Sequence, residues 1–214
     1  ELIDAAHTKM LRETEGVDLS DHPTLFMEFH AAYQCALDEG LATVREICDD
    51  AGALSFRATT DPAERKRLWH ARHASYEIMV RSHPDRRFFI MDVAVPISAY
   101  PELIGYVEQL KRETGATAYM IGHAGDGNVH VEFPFADRVE YDRAMRLNDR
   151  IVVRALELGG TATGEHGVGI GKARFMEREH GAALDVMRAI KKALDPNGIL
   201  NPGKLFPESV PVED

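Results

Sequence analysis

The sequence predicts an α+β fold, in which helices cover one face of a mostly antiparallel sheet. Helical and strand patterns alternate along the chain. The apolar segments 116–123 and 128–133 flank a glycine-rich turn, which is typical of a hairpin and therefore of antiparallel pairing. No run of about 18 apolar residues occurs, so no membrane-spanning helix is expected.

Size and composition predict one domain over residues 1–214, with 44% hydrophobic and 28% charged residues. The net charge of −10 argues against a nucleic-acid partner, which would need clustered Lys and Arg. Cys35 and Cys48 lack the spacing of metal ligands, which favours a reducing compartment. Residues 1–16 are typical of an amphipathic helix rather than a signal peptide, and we expect the chain to be part of a longer protein.

The elements follow from apolar periodicity and from capping residues. Asp61 and Pro62 are suited to begin a long helix, and Asp137 with Glu140 forms a capping-box pattern for another that runs to Gly159. Two shorter helices and a short strand near Thr161 are expected beyond it. The other predicted elements are strands at 24–30, 53–58 and 87–96, a helix ending near Gly52, a helix over 98–115, and an end of regular structure at 195–204.

The segment "GHAGDGNVH" (122–130) places two histidines around a tight turn. Gly125, Gly127 and Asn128 tolerate the backbone conformations that such a turn needs. If the flanking strands pair, His123 and His130 lie close together at one end of the sheet. A hairpin that carries two ordinary histidines is the alternative interpretation.

The segment "TGEHGVGIGK" (163–172) adds an acid and a base, Glu165 and His166, within a glycine-rich loop. Two imidazoles and one carboxylate suit a divalent transition metal such as Zn, Mn or Fe. His123, His130 and Glu165 are therefore candidate ligands, and His166 is a candidate general base. A flexible surface loop is the alternative, and the His-Glu-x-x-His pattern of zinc proteases is absent.

The segment "LWHARHASYE" (68–77) offers a group that binds carboxylates. Arg72 and Tyr76 are four residues apart and would share one face of a helix. The guanidinium of an arginine can bind a carboxylate through two hydrogen bonds. An exposed arginine on a solvated helix is the alternative.

Six segments in this order give the chain a family resemblance: "PTLFMEFH", "LWHARH", "MDVAVPIS", "GHAGDGNVH", "GTATGEHGVGIGK" and "LDPNGILNPGK". Together they resemble the C-terminal substrate (cap) domain of the FAD-linked D-2-hydroxyacid dehydrogenases. This family includes the cytochrome-linked D-lactate dehydrogenases, to which the likeness is greatest. It also includes the flavoprotein subunit of glycolate oxidase and D-2-hydroxyglutarate dehydrogenase.

The resemblance implies a ferredoxin-like antiparallel sheet that covers a flavin. It also implies that His123, His130 and Glu165 hold a divalent metal and that His166 is the catalytic base. Arg72, with Tyr76 beside it, would bind the substrate carboxylate. The tail around Asn201 would return toward the flavin.

The resemblance further implies an N-terminal FAD-binding domain outside this chain. The expected reaction is oxidation of D-lactate to pyruvate, with glycolate as the alternative substrate. Ile90, where relatives that act on longer dicarboxylates carry a basic residue, argues against 2-hydroxyglutarate. Expected partners are a cytochrome or quinone as electron acceptor and a second copy of the chain in a homodimer. The expected location is the cytoplasm or the surface of the inner membrane.

Functions of other classes stay open at this stage. One is a stand-alone metal-binding module. Another is a metal-dependent hydrolase or lyase that uses the same three ligands without a flavin.

Overall fold

The computed structural model describes residues 1–206 and confirms the α+β fold, with an antiparallel sheet of five strands in this part of the chain. The order of the strands across the sheet is β2-β1-β4-β5-β3, and every neighbouring pair is antiparallel. Ala94 also forms an isolated bridge with Thr161, where a short strand was predicted. The strands are Leu2–Ile3 (β1), Thr24–Leu25 (β2), Arg87–Ala94 (β3), Tyr119–Gly122 (β4) and Asn128–Phe135 (β5).

The described residues also form α-helices between and after these strands. Short 3-10 turns precede α5, connect β4 to β5 and follow α7. The helices are Ala5–Glu15 (α1), Gln34–Asp50 (α2), Pro62–His73 (α3), Ser75–Ser82 (α4), Tyr100–Thr114 (α5), Arg138–Glu157 (α6), Gly169–Lys172 (α7), Met176–His180 (α8) and Ala183–Leu194 (α9). None of the helices in residues 1–206 is long and apolar enough to cross a membrane.

The two faces of the sheet differ in what covers them. One face packs against α5 and α6 through the main apolar core, to which Val93, Val131 and Ile151 belong. The other face meets α1 and α4 in a smaller apolar cluster around Ile3 and Met79. Side chains alternate between the two faces along a strand. His130 therefore points away from the α5–α6 core, and the second face has room for a polar site.

The helix and hairpin predictions were mostly confirmed, because their capping and turn residues act locally. The Asp61 carboxylate accepts a hydrogen bond from the backbone N–H of Glu64 at the start of α3, and Asp137 does the same for Glu140 at the start of α6. The predicted long helix after Asp61 is interrupted at Ala74, where the backbone leaves helical geometry before α4.

Two strand predictions failed in whole or in part. The strand at 24–30 shrinks to Thr24–Leu25, and the strand at 53–58 is wrong, since that segment forms no ladder. Its apolar residues find no neighbouring strand, and Leu54 stays exposed. The Phe56 ring instead lies beneath the guanidinium of Arg45, 4.4 Å from its carbon. The strand was predicted from apolar residues alone, and the fold places no neighbouring strand beside this segment for it to pair with.

His7, in the first turns of α1, is the most fully buried histidine of the domain and lies at 0% exposure against the Tyr119 ring. Burial, with the nearby charge of Arg72, lowers the pKa of His7 from 6.5 to about 4. The imidazole is therefore neutral in the folded protein at neutral pH.

We predict that His7 makes the protein sensitive to mild acid. The unfolded chain binds a proton at His7 below about pH 6.5 whereas the folded chain resists it until about pH 4, so the stability present above pH 6.5 falls as the pH is lowered through this window. A shift of this size corresponds to roughly 3 kcal/mol. Urea unfolding between pH 7.5 and pH 4 should show a shallower loss of stability for His7→Leu than for the wild type.

The exposed His22 supplies the control for this measurement. His22→Leu should leave the pH dependence of the unfolding free energy as it is in the wild type. Equal pH dependence in His7→Leu and the wild type would show that His7 is not the group responsible.

Candidate metal and active site

Three side chains converge on one point at the second face of the sheet. The Glu165 carboxylate oxygen Oε1 lies 2.9 Å from Nε2 of His130 and 3.4 Å from Nε2 of His123. One donor atom from each residue lies within 4.8 Å of the other two. This set of two imidazole nitrogens and one carboxylate oxygen fits a divalent transition metal, and Glu165 is half exposed, which leaves an open side for further ligands.

The hairpin between β4 and β5 aims the two histidines. Its backbone closes through hydrogen bonds from the N–H groups of Asp126 and Asn128 to the His123 carbonyl, at 2.8 and 3.3 Å. Gly127 has a φ of 73°, and a Cβ there would lie 1.9 Å from the carbonyl oxygen of Val95. Only glycine fits this turn. The His123 and His130 rings consequently stand 5.5 Å apart and nearly perpendicular.

A buried carboxylate, Asp92 of β3, holds the Glu165–His166 segment in place. Its Oδ2 accepts hydrogen bonds from the backbone N–H groups of Glu165 at 2.6 Å and of His166 at 3.1 Å. Its Oδ1 lies 3.7 Å from Nδ1 of His166. In the β3–β5 ladder Asp92 is directly opposite His130. Sequence reasoning missed Asp92 as a site residue, and the signal would have been its register with His130.

The glycine-rich loop packs tightly at this point. A Cβ on Gly164 would lie 1.9 Å from Nδ2 of Asn128 and 3.1 Å from the Asp92 carboxylate. Lys172, the last residue of the same motif, donates from Nζ to the Asp92 backbone carbonyl at 2.8 Å. Burial lowers the pKa of Lys172 to about 8. The loop is therefore a fitted part of the site, and the interpretation of a flexible surface loop is not supported.

The two histidines that face each other in the site have different surroundings. The His166 ring stacks on the His130 ring at 5.0 Å and is half exposed, whereas His130 is buried. Burial lowers the pKa of His130, and the neighbouring His166 adds to this effect. A low pKa keeps the His130 imidazole neutral, which is the form that binds a metal.

Arg72 reaches the same site through Glu1. One carboxylate oxygen of Glu1 lies 2.9 Å from Nη2 of Arg72, and the other lies 2.9 Å from Nδ1 of His123. Burial alone would raise the pKa of Glu1, but the hydrogen bond and charge of Arg72, together with His123, bring it below its ordinary value. Arg72 is thus a mostly buried member of the site, and its interpretation as a solvated surface residue is not supported.

The other two predicted residues lie outside this group of contacts. The Tyr76 ring stands edge-on to Phe88 and is partly exposed, beyond the break between α3 and α4. Asn201 lies in the tail after α9 with a φ of 46°, and its carbonyl accepts a hydrogen bond from the Lys204 backbone. Binding of substrate by Tyr76 and of the flavin by Asn201 both stay predictions.

Glu132 is a second acidic residue that sequence reasoning missed. It lies two residues after His130 on β5, so both side chains project from the same face. The side chain is buried, and its Oε2 has no hydrogen-bond partner in the described part of the chain. Burial raises the pKa of Glu132 to about 7, against the opposing charge of Arg72. The alternation of "NVHVEF" was the available signal.

The chain belongs to the family described as FAD linked oxidases, C-terminal domain, which matches residues 1–205. The chain is similar to mitochondrial cytochrome D-lactate dehydrogenase of Arabidopsis thaliana, with 38% identity over 98% of this chain and 37% of that protein. It is 33% identical to mitochondrial cytochrome D-lactate dehydrogenase 1 of Saccharomyces cerevisiae, over 96% of this chain and 36% of that protein. Glycolate oxidase subunit GlcD of Escherichia coli K12 is 32% identical, over 85% of this chain and 38% of the subunit.

The fold is also that of a solved enzyme. The chain aligns with 4-ethylphenol oxidase from Gulosibacter chungangensis in its isoeugenol complex, with a TM-score of 0.63 and 15% identity, over 97% of this chain and 47% of that chain. At this identity the likeness concerns the fold alone. The chain spans well under half the length of the curated relatives named above.

We predict that Gly164→Ala disrupts the site. The added methyl group meets the Asn128 amide and the Asp92 carboxylate, so the loop must shift away from β3 and β5. Overpacking of this kind costs about 1–3 kcal/mol. Chemical denaturation should report this loss, and the metal content of the purified protein should fall with it.

Gly105→Ala is the matched control, since Gly105 lies in α5 with nothing within 4 Å of an added Cβ. It should stabilise the protein by about 0.5–1 kcal/mol, because alanine is the better helix former. Equal stability of the two variants would contradict the tight packing at Gly164.

Proposed function

We propose that this chain is the C-terminal domain of an FAD-dependent D-2-hydroxyacid dehydrogenase that oxidises D-lactate to pyruvate. The observation that carries the proposal is the convergence of His123, His130 and Glu165, with His166 stacked beside them and Arg72 joined to them through Glu1. Family membership supports the flavin, and the names of the relatives support the 2-hydroxy acid.

Each side chain has a role that its position supports. His123, His130 and Glu165 would hold the divalent metal, with Zn, Mn and Fe as candidates. Arg72 binds the substrate carboxylate with the guanidinium donors that Glu1 does not occupy. His166 accepts the proton of the 2-hydroxyl group, and Asp92 orients its ring through the backbone and at Nδ1.

When bound, a metal held by His123, His130 and Glu165 would supply polarisation of the 2-hydroxyl oxygen, and a flavin would supply the acceptor for the hydride of C2. The hydroxyl proton goes to His166, so that lactate loses one hydride and one proton and leaves as pyruvate. Holding the carboxylate at Arg72 fixes the orientation of C2 during this transfer.

D-lactate is the substrate we favour. Four D-lactate dehydrogenases, one of them named as probable, match at 33–38% identity. The uncharged Ile90 lies on β3 directly opposite Glu132, on the face that carries the site. Glycolate is the second candidate, because the glycolate oxidase subunit GlcD is 32% identical. A cytochrome or quinone as acceptor and a homodimer stay predictions. The predicted location, in the cytoplasm or at the surface of the inner membrane, also stays a prediction. The names of two relatives place those proteins in mitochondria.

An apolar stripe on α9 supports an FAD-binding domain as the partner of this chain. Val186, Ile190 and Leu194 follow one another at four-residue spacing and are each more than half exposed. Only Leu184 of this helix is buried in the described structure. A stripe of this length costs free energy in water and is typical of a surface that another domain covers. We infer that the FAD-binding part of the whole protein packs on it.

We predict that Ile190→Glu weakens the binding of FAD by the whole protein, because a carboxylate would be buried against the FAD-binding domain. FAD fluorescence during a thermal ramp should show release at a lower temperature than in the wild type. Val139→Glu is the control, because Val139 is as exposed but lies in the first turn of α6, where an acid is favourable. If both variants release FAD at the wild-type temperature, α9 does not face the flavin domain.

We predict that His166→Gln in the complete flavoprotein lowers the rate of flavin reduction by D-lactate by roughly 10²–10⁴-fold, the usual contribution of a general base. Its metal content should stay close to that of the wild type, because His166 is not one of the three converging ligands. Stopped-flow absorbance of the flavin and elemental analysis measure the two quantities.

The double variant His123→Ala, His130→Ala is the comparison for metal. This variant should lose the metal ion. An unchanged metal content would reject the metal site, and with it both the dehydrogenase mechanism and a hydrolase that uses the same ligands. If His166→Gln loses the metal to the same extent, His166 is a ligand and not the base. Metal binding without flavin reduction by any 2-hydroxy acid would favour the metal-binding module.

A further inference from the structure

We propose that Glu1 is a positioning residue, which couples the arginine that binds the substrate carboxylate to a ligand of the metal. The proposal rests on the function proposed above and adds to it the residue that joins its two halves. Glu1 contacts Arg72 through one oxygen and His123 through the other, each at 2.9 Å. Its side chain is 19% exposed, so this bridge is largely shielded from water.

The sheet register places Glu1 at this point. In the antiparallel ladder of β1 and β4, Leu2 pairs with Gly122 and Ile3 pairs with Ile121. Continuing the ladder by one residue puts Glu1 opposite His123. The backbone nitrogen of Glu1 also donates to the Phe26 carbonyl at 2.8 Å, which ties the same residue to the neighbouring chain segment. The backbone around Glu1 is therefore fixed on two sides.

For His123, the contact decides which ring nitrogen is free. A carboxylate only accepts hydrogen bonds, so Nδ1 must carry the hydrogen that Glu1 receives. The lone pair then lies on Nε2, which is the nitrogen that points to Glu165 at 3.4 Å. A carboxylate behind a ligating histidine orients the ring and makes it a better donor to the metal.

For Arg72, the contact with Glu1 fixes the guanidinium plane and leaves other N–H donors of the guanidinium free to bind a substrate. Glu1 engages only Nη2, and the buried Nε has no partner within the described residues. The Arg72 side chain is 14% exposed, so few rotamers are available to it once it is held. An arginine held in this way loses less conformational entropy when a substrate carboxylate binds.

Two variants separate these effects. In Glu1→Gln the amide oxygen can still accept from His123, but the amide nitrogen cannot accept from Arg72. We expect KM for D-lactate to rise about tenfold, the loss of one charge-assisted hydrogen bond, with a smaller change in kcat. In Glu1→Ala both contacts are lost, and Zn²⁺ affinity should also fall about 10- to 100-fold, as for other groups behind a ligating histidine.

The experiment uses the complete flavoprotein that contains this chain. The dissociation constant of Zn²⁺ is measured by competition with a chromophoric chelator, and KM and kcat are measured with D-lactate. Glu15→Gln is the matched control, because Glu15 makes a similar contact with Arg81, at 2.8 Å, but on α1 away from the metal ligands. This control should keep the wild-type Zn²⁺ affinity and KM.

The outcomes for Glu1 and for the proposed function are distinct. Wild-type Zn²⁺ affinity and KM in Glu1→Gln and Glu1→Ala would overturn the role of Glu1 and leave the proposed function in place. If Glu1→Ala does not fold, an unchanged KM in the isosteric Glu1→Gln is sufficient to overturn the role of Glu1. A wild-type protein that binds Zn²⁺ no better than His123→Ala, His130→Ala would instead overturn the proposed metal site itself.

Discussion

The structure of the site depends on one buried carboxylate, that of Asp92. A carboxylate at 2% exposure is tolerated only if it is hydrogen-bonded, and two backbone N–H groups from the glycine-rich loop donate to its Oδ2. Because those N–H groups belong to Glu165 and His166, the same bonds set the positions of the proposed third ligand and of the proposed base. A loop rich in glycine gives up much conformational entropy on folding, and the charge-assisted bonds to Asp92 offset that cost.

In β3 and β5, the two faces of the sheet carry different kinds of buried side chain: one face is apolar and the other is polar. On the α5–α6 side the strands contribute Val93, Val129 and Val131, all fully buried in an apolar core. On the other side the same strands contribute Asp92, His130 and Glu132, all buried and all polar. Buried polar groups that lack partners, such as Glu132, cost stability. The apolar face supplies free energy that offsets the cost of burying these polar groups on the opposite face.

The sequence allowed the hairpin, the capped helices and the converging triad to be predicted, because each depends on residues close in the chain or on a strongly marked turn. The extent of the sheet was harder to predict, as the failed strand at 53–58 shows, because an apolar pattern does not say which neighbour a strand will have. Asp92, Glu1 and Glu132 were missed for the same reason. Their positions in the site come from register with His130, His123 and β4, and register across a sheet is a long-range property.

The site is exposed on one side only. His166 and Glu165 are 51% and 49% exposed, whereas Asp92 and His130 behind them are buried and Arg72 is only 14% exposed. The site is thus closed on the side of the sheet and open on the side where substrate would approach. The proposed hydride transfer from a 2-hydroxy acid would need that open side shielded from water and the acceptor close to C2. A second domain that covers the open side would meet both needs, since it would bring the flavin to the substrate and exclude water from His166 at the same time.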